Sequence, residues 1–181
     1  PITAIGVYLQ WMDAMVCLAV PPKTLTWEQA QEVVKPLPEV MLFRTEKEML
    51  DTFLEMIDDA DVISGWNSEG YDIPYIVNRI TKTMGKAETR RLCLMKKLPK
   101  ARSYEKYGNE VNTYDLVGRI HLDYLELYRK YNYEERHSYR LDYIGEMEVG
   151  EKKVPYEGSL DRLYNHDFLK FCEYNIQDSR K

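Results

Sequence analysis

Two β-rich apolar runs open the chain, ITAIGVYLQ and AMVCLAV, joined by the polar-containing Trp11-Met12-Asp13, and together they predict a hairpin formed by residues 2 to 9 and 14 to 20. PPKTLTWEQAQEVVKPLP follows, bounded by prolines, and reads as a peripheral excursion with a helical turn or two. In TEKEMLDTFLEMIDDA, Thr45 precedes Glu48 by three residues, a capping-box spacing, and Met49, Phe53, Leu54, Met56 and Ile57 share one broad face. An amphipathic helix is expected there. DVISGW reads as a short buried strand, and YDIPYIVNRITKTMG as a helix with Pro74 in its first turn and Gly85 at its end. Residues 86 to 102 are basic and expected to be helical in part. Gly108-Asn109 between tyrosine-rich flanks predicts the tip of a β-hairpin within 103–115. HLDYLELY is a further strand candidate, SYRLDYIGEM a short helix and EKKVPYEG a loop. A last helix runs from about Ser159, with Leu160, Leu163, Phe168, Leu169, Phe171, Cys172 and Ile176 apolar. The order hairpin, helix, strand, helix, strand, helix is mixed α/β, with antiparallel pairing first and crossovers later, and it predicts helices flanking one sheet.

Composition narrows this picture. The 181 residues, 44% hydrophobic and 30% charged, suit one soluble globular domain over 1–181. No stretch nears the roughly 18 consecutive apolar residues of a membrane helix, and the first residues lack the regions of a signal peptide, so a soluble intracellular protein without a membrane partner is expected. Cys17, Cys93 and Cys172 have no spacing that suggests a metal clip or redox pair, and are expected as reduced core residues. Trp11, Trp27 and Trp66 are read as packing residues. The chain starts at Pro1 already strand-like and ends within a helical pattern, as a piece of a longer protein would.

Net charge is −5, against a generic polyanion-binding surface, but its distribution is uneven. Between Arg79 and Lys106 ten Lys and Arg stand against Glu88 and Glu105, a local +8 that leaves −13 on the rest. A basic lobe on an acidic body and an ordinary solvated surface both fit this pattern.

Asp72 stands at the junction of a strand-plus-loop and a proline-started helix, where an aspartate most often caps free backbone N–H groups. Its company suggests more. Asn67 lies five residues earlier on the same loop, and Tyr174 and Asp178, four residues apart, project from one face of the last helix. A solvent-facing pair accounts equally well for the latter two.

Together, Asn67-Ser68-Glu69-Gly70-Tyr71-Asp72 and Tyr174-Asn175-Ile176-Gln177-Asp178 resemble the second and third exonuclease motifs of the family B DNA polymerases: Asn, three residues, aromatic, Asp, and then, about a hundred residues later, Tyr, three residues, Asp. The surrounding SGWNSEGYDIPYIVNR, LDYLELYRK and KVPYEG resemble the replicative polymerases of T-even-type bacteriophages, and the likeness extends over essentially the whole chain. The resemblance implies a ribonuclease-H-like (DnaQ-like) proofreading domain that removes 3′-terminal nucleotides from single-stranded DNA with two Mg²⁺ or Mn²⁺ ions, which need several converging carboxylates. It implies Asp178 and Asp72 as metal ligands, Tyr174 as the residue orienting the attacking water, Asn67 at the terminal nucleotide or bracing the loop, and Tyr71 as a substrate contact. Lys153, in Lys153-Val-Pro-Tyr156, matches a lysine implied at a phosphate or beside the acids. Tyr104, Tyr107, Gly108 and Asn109 match a hairpin that helps to move the primer end; fifteen tyrosines populating strands and core would also place them there.

The family's first motif, Asp-x-Glu, occurs nowhere in the chain. ITAIGVYLQ resembles the second strand of the fold, so the first, which carries that motif and is central, is expected upstream of Pro1, beside the strands near 2–9 and 62–65. The expectations that follow are an inactive isolated chain, marginal stability, self-association through open edges, and a partner: the remainder of the polymerase, or a second chain supplying the motif. The site of action implied is the cytoplasm of an infected bacterium. The rival reading is a non-catalytic DNA-binding or scaffolding subunit of a split polymerase.

Overall fold

The structure, a computed structural model, describes residues 1–106, 108–150, 154–156 and 158–180, with Lys106 described by its backbone alone. Tyr107 and Lys153 lie outside the described residues. The fold is mixed α/β, and the chain divides into two compact units, residues 1–49 with 138–181, and residues 50–137.

In the first unit β1 (Ala4–Leu9) pairs antiparallel with β2 (Ala14–Ala19), Ala4 opposite Ala19 and Leu9 opposite Ala14. The link is one 3-10 turn, Gln10–Met12, closed by Asp13 in the left-handed region at φ 49°. A short β3 (Val40–Leu42) lies parallel to β2. α1 (Trp27–Val34) is a built helix and not a peripheral excursion: Thr26 and Gln29 form a reciprocal capping box, and Ala30 and Val34 are buried. α2 (Glu46–Met56) starts as its spacing predicts, with Glu48 N–H donating to Thr45 Oγ1 and Thr45 N–H to Glu48 Oε2, both at 3.2 Å; the division between units falls within it. α5 (Leu141–Val149) ends at Gly150 in the left-handed conformation that glycine tolerates.

The expected single last helix is two helices, α6 (Leu160–His166) and α7 (Phe168–Arg180). Asp167 leaves helical geometry at φ −142° and ψ 72°, and its carboxylate accepts the N–H of Lys170 at 3.1 Å, which restarts the helix. The break lets Leu163 and Phe168 enter one core with Met15, Cys17, Ala19, Val34, Phe171, Cys172 and Ile176. All three cysteines are free and buried. Trp11, in contrast, is 57% exposed, so it is no packing residue: it sits in the turn between β1 and β2.

α7 reaches β1 at a position where only glycine fits. A Cβ on Gly6 would lie 2.0 Å from Ser179 Oγ and 2.8 Å from Asn175 Oδ1. Gly6→Ala is therefore expected to push the helix off the strand and cost about 1–3 kcal/mol. Denaturant unfolding checks this, and an unchanged midpoint would mean that α7 has room to spare.

In the second unit β4 (Val62–Gly65) pairs in parallel with β7 (Ile120–Asp123). β4 is not the buried strand expected: Val62 is 47% and Ile120 58% exposed, on the same face as the exposed Leu122. β5 (Lys100–Lys106) and β6 (Asn109–Asp115) form a separate antiparallel hairpin. Among the described residues the strands form three hydrogen-bonded groups, and β1 and β4, expected to flank a strand that this sequence lacks, each pair along one edge. α3 (Asp72–Thr83) buries Ile73, Val77 and Ile80 at helical spacing. It is followed by a 3-10 stretch, Lys86–Leu92.

HLDYLELY is not one strand. It is β7 up to Asp123 and then α4 (Tyr124–Tyr131), because the Asp123 carboxylate accepts Leu125 N–H and caps the new helix. The basic segment is partly neutralised where it meets this unit: Arg91 pairs with Asp51 at 2.5 Å and Arg102 with Asp115 at 2.9 Å and with Glu69. No helix among the described residues is long and apolar enough to cross a membrane.

Candidate active site

β4 ends at Gly65, and the chain must turn within six residues to start α3 at Asp72. Asn67 makes the turn in the left-handed region at φ 56°, which asparagine adopts more readily than most residues. Tyr71 N–H then donates to Asn67 carbonyl at 3.1 Å and Ile73 N–H to Ser68 carbonyl at 2.9 Å, winding the loop into the helix. Asp72 is the first helical residue and not the cap: the position before it, Tyr71, makes no side-chain cap. The common reason for an aspartate at such a junction is therefore missing here.

What holds the loop is Asp123, a buried carboxylate from the end of β7. Its Oδ1 accepts Asn67 N–H at 2.9 Å and Leu125 N–H at 3.0 Å, and its Oδ2 accepts Glu69 N–H at 3.0 Å. Below the loop, Ser68 Oγ donates to Gly65 carbonyl at 3.2 Å and lies 2.8 Å from His121 Nε2. Burial holds the His121 pKa below the ordinary value, which favours the neutral ring.

Asp72 presents an exposed edge to solvent, yet atoms around its carboxyl displace enough water to push its pKa up to about 6. Its own backbone N–H works against this shift, and the charge of Asp123 adds to it. Tyr71, 63% exposed, stacks on Tyr75 one helical turn on, with ring centroids 5.9 Å apart and planes 5° apart. An open cavity of about 430 Å³ borders this loop, lined by Asn67 and Gly70, by Asn109, Glu110, Val111 and Asn112 of β6, and by Leu125 and Arg129 of α4.

Tyr174 and Asp178 are in the first unit, on α7. Burial first, then a hydrogen bond to Asp178, raises the Tyr174 pKa well above that of a free phenol. Tyr174 thus stays protonated at any physiological pH and serves as a donor, not a base. The ring of Tyr156 meets it edge-on at 5.3 Å.

A divalent cation suits Asp72, a hard oxygen donor whose ionisation is held back first by loss of water and then by the charge of Asp123. The described residues, however, bring together no group of three or more His, Cys, Asp or Glu that could hold a metal ion. Two-metal chemistry at these acids requires further donors.

The sequence singles out Asn67, Tyr71, Asp72, Tyr174 and Asp178 as candidates, but not Asp123, whose carboxylate holds the loop, nor Arg102, which pairs with Glu69. For Asp123 a signal existed. Asp123-Tyr-Leu-Glu126 has the spacing of a helix start, which the aromatic content of the segment obscured.

A loop of this kind, set between the carboxyl end of a strand and a helix and presenting one crowded carboxylate, lies where α/β domains bind their ligands. The sequence model of the DNA polymerase family B exonuclease domain matches residues 13–144, and the chain belongs to that family. The matched stretch contains Asn67, Tyr71 and Asp72 and ends before Tyr174 and Asp178. The chain is 36% identical over 141 residues to the DNA-directed DNA polymerase of Escherichia phage RB69, covering 76% of this chain and 15% of that protein. It is 29% identical over 140 residues to the DNA-directed DNA polymerase of Enterobacteria phage T4, covering 76% of this chain and 16% of that protein. With the DNA polymerase of Bombyx mori nuclear polyhedrosis virus it shares 30% identity over 145 residues, 77% of this chain and 14% of that protein. The chain therefore spans about a sixth of the length of the phage relatives it matches.

The crowding of Asp72 has a consequence for stability. A carboxyl whose pKa rises on folding binds more protons folded than unfolded between about pH 4 and pH 6, so stability falls as pH rises through that window and the penalty persists above it. Asp72→Asn removes the penalty. It is expected to stabilise the protein by on the order of 1 kcal/mol at pH 7, after discounting for the screening at an exposed edge, and by nothing at pH 3. Thermal melts at the two pH values check the sign.

Proposed function

We propose that this chain is a proofreading 3′–5′ exonuclease domain of a phage-type family B polymerase, acting on the 3′ end of single-stranded DNA in the cytoplasm of an infected bacterium. The observation that carries this reading is the Asn67–Asp72 loop: it lies in the stretch matched by the family's exonuclease domain, and it presents a carboxylate that no capping role explains. Asp72 and Asp178 supply carboxylate ligands, completed by an Asp-x-Glu pair from the remainder of the polymerase or from a partner chain. Mg²⁺ or Mn²⁺ bound there would activate water and stabilise the leaving oxygen. Tyr174, protonated and hydrogen-bonded to Asp178, has the character of a water-orienting donor. Asn67 and Tyr71 offer an amide and an exposed ring to the terminal nucleotide, and the open cavity that Asn67 and Gly70 border has room for an unpaired strand. Lys153 and Tyr107 are further substrate contacts in this reading.

The test uses 5′-labelled single-stranded oligonucleotides and this chain joined to an upstream strand bearing Asp-x-Glu. Metal-dependent shortening from the 3′ end supports the proposal. DNA binding without cleavage, in the joined protein with Mg²⁺ present, favours the scaffolding alternative.

A further inference from the structure

Glu69, midway between Asn67 and Asp72, is held on every side by a different element. Its N–H donates to Asp123 at 3.0 Å, and its carbonyl accepts the Thr113 hydroxyl of β6 at 2.6 Å. Its side chain pairs with Arg102 of β5. Arg102 in turn donates through Nε to Asp115 at 2.9 Å, at the base of β6, and its guanidinium lies 4.9 Å from the centre of the Tyr104 ring. The β5–β6 hairpin thus grips one residue of the loop through both main chain and side chain.

We propose that Thr113 and Arg102 are positioning residues through which the β5–β6 hairpin sets the placement of the Asn67–Asp72 loop. The two links differ in kind. Thr113 is 2% exposed, so its hydroxyl has no water to turn to and its bond to Glu69 persists at any salt concentration. Arg102 has 40% of its side chain exposed, so its pairing with Glu69 weakens as salt rises. The loop has little slack to absorb a displacement, because Asn67 carbonyl is committed to Tyr71 N–H and Ser68 carbonyl to Ile73 N–H. A shift of β6 therefore travels to the first turn of α3, where Asp72 sits. Its significance for catalysis rests on the nuclease reading; the mechanical coupling does not.

Hydrogen exchange of the Tyr71 and Ile73 amides in this chain tests the coupling. Thr113→Val keeps the shape and removes the donor, and is expected to speed exchange of both amides about tenfold. Thr113→Ser restores the donor and is expected to return exchange to within about twofold of the parent. The Ile120 amide, bonded to Asp61 carbonyl at 2.9 Å, reports folding of β4 and β7 and is expected to stay unchanged. Should Thr113→Val fail to fold, Arg102→Leu is read instead: exchange rises severalfold at low salt and matches the parent at high salt. Unchanged Tyr71 and Ile73 exchange, failure of the serine to rescue, or equal acceleration at Ile120 would each overturn the proposal. None of these outcomes depends on cleavage, so a chain without nuclease activity leaves the coupling standing, and unchanged exchange leaves the nuclease reading untouched.

Discussion

Asp123→Ala is expected to cost the second unit about 3–5 kcal/mol, a large share of the 5–15 kcal/mol by which domains are usually stable. Three backbone N–H groups, those of Asn67, Glu69 and Leu125, lose their acceptor together, and Asp123 itself is 7% exposed. Charge-assisted bonds of this kind contribute about 1.5–3 kcal/mol each, and the helix cap at Leu125 is worth about 1 kcal/mol within that sum. A small part is offset, because the same change removes a charge that disfavours ionised Asp72. Asp123→Asn separates the contributions: one oxygen still serves Asn67 and Leu125, while an amide NH₂ now faces Glu69 N–H. It should lose about half as much. Urea unfolding of the two variants measures this, and a loss below about 1 kcal/mol for alanine would mean that the loop is held by other contacts.

The elements legible in the sequence are those whose cause is local. Thr45 and Glu48 announce α2, Pro74 and Gly85 bracket α3, and the apolar runs of β1 and β2 lie on either side of a four-residue link. Where a residue type has two local uses, the reading went astray. The aromatic-rich stretch after His121 looks like strand until Asp123 is taken as a cap, and Asp167 interrupts a continuous apolar stripe that otherwise promises one helix. The candidate site divides the same way. Asn67, Tyr71 and Asp72 stand at fixed spacing on one loop and were legible through it. Their supports were not, since Asp123 lies 56 residues from Asn67 and Thr113 lies 44 from Glu69, and hydrogen bonds at that separation leave no period or spacing in the sequence.

In a protein joining this domain to an Asp-x-Glu strand, Asp72→Ala and Asp178→Ala are each expected to slow digestion of single-stranded DNA at least about a thousandfold, because each removes an anionic ligand from cations that must act together. The double variant should be little worse than either single one, as groups that work as a unit do not add. Tyr174→Phe should cost far less, about ten- to a hundredfold, since a phenol that stays protonated can only orient water. Proton competition supplies the pH signature. With Asp72 titrating at about 6, activity at limiting Mg²⁺ should fall as pH drops through 6, and added Mg²⁺ should move that fall to lower pH. Asp72→Asn would then be more stable and inactive at once, the pattern of a residue kept for chemistry at a cost in stability. Stability and rate measured on the same variant decide the matter: robust metal-dependent digestion by Asp72→Asn would remove Asp72 from the reaction.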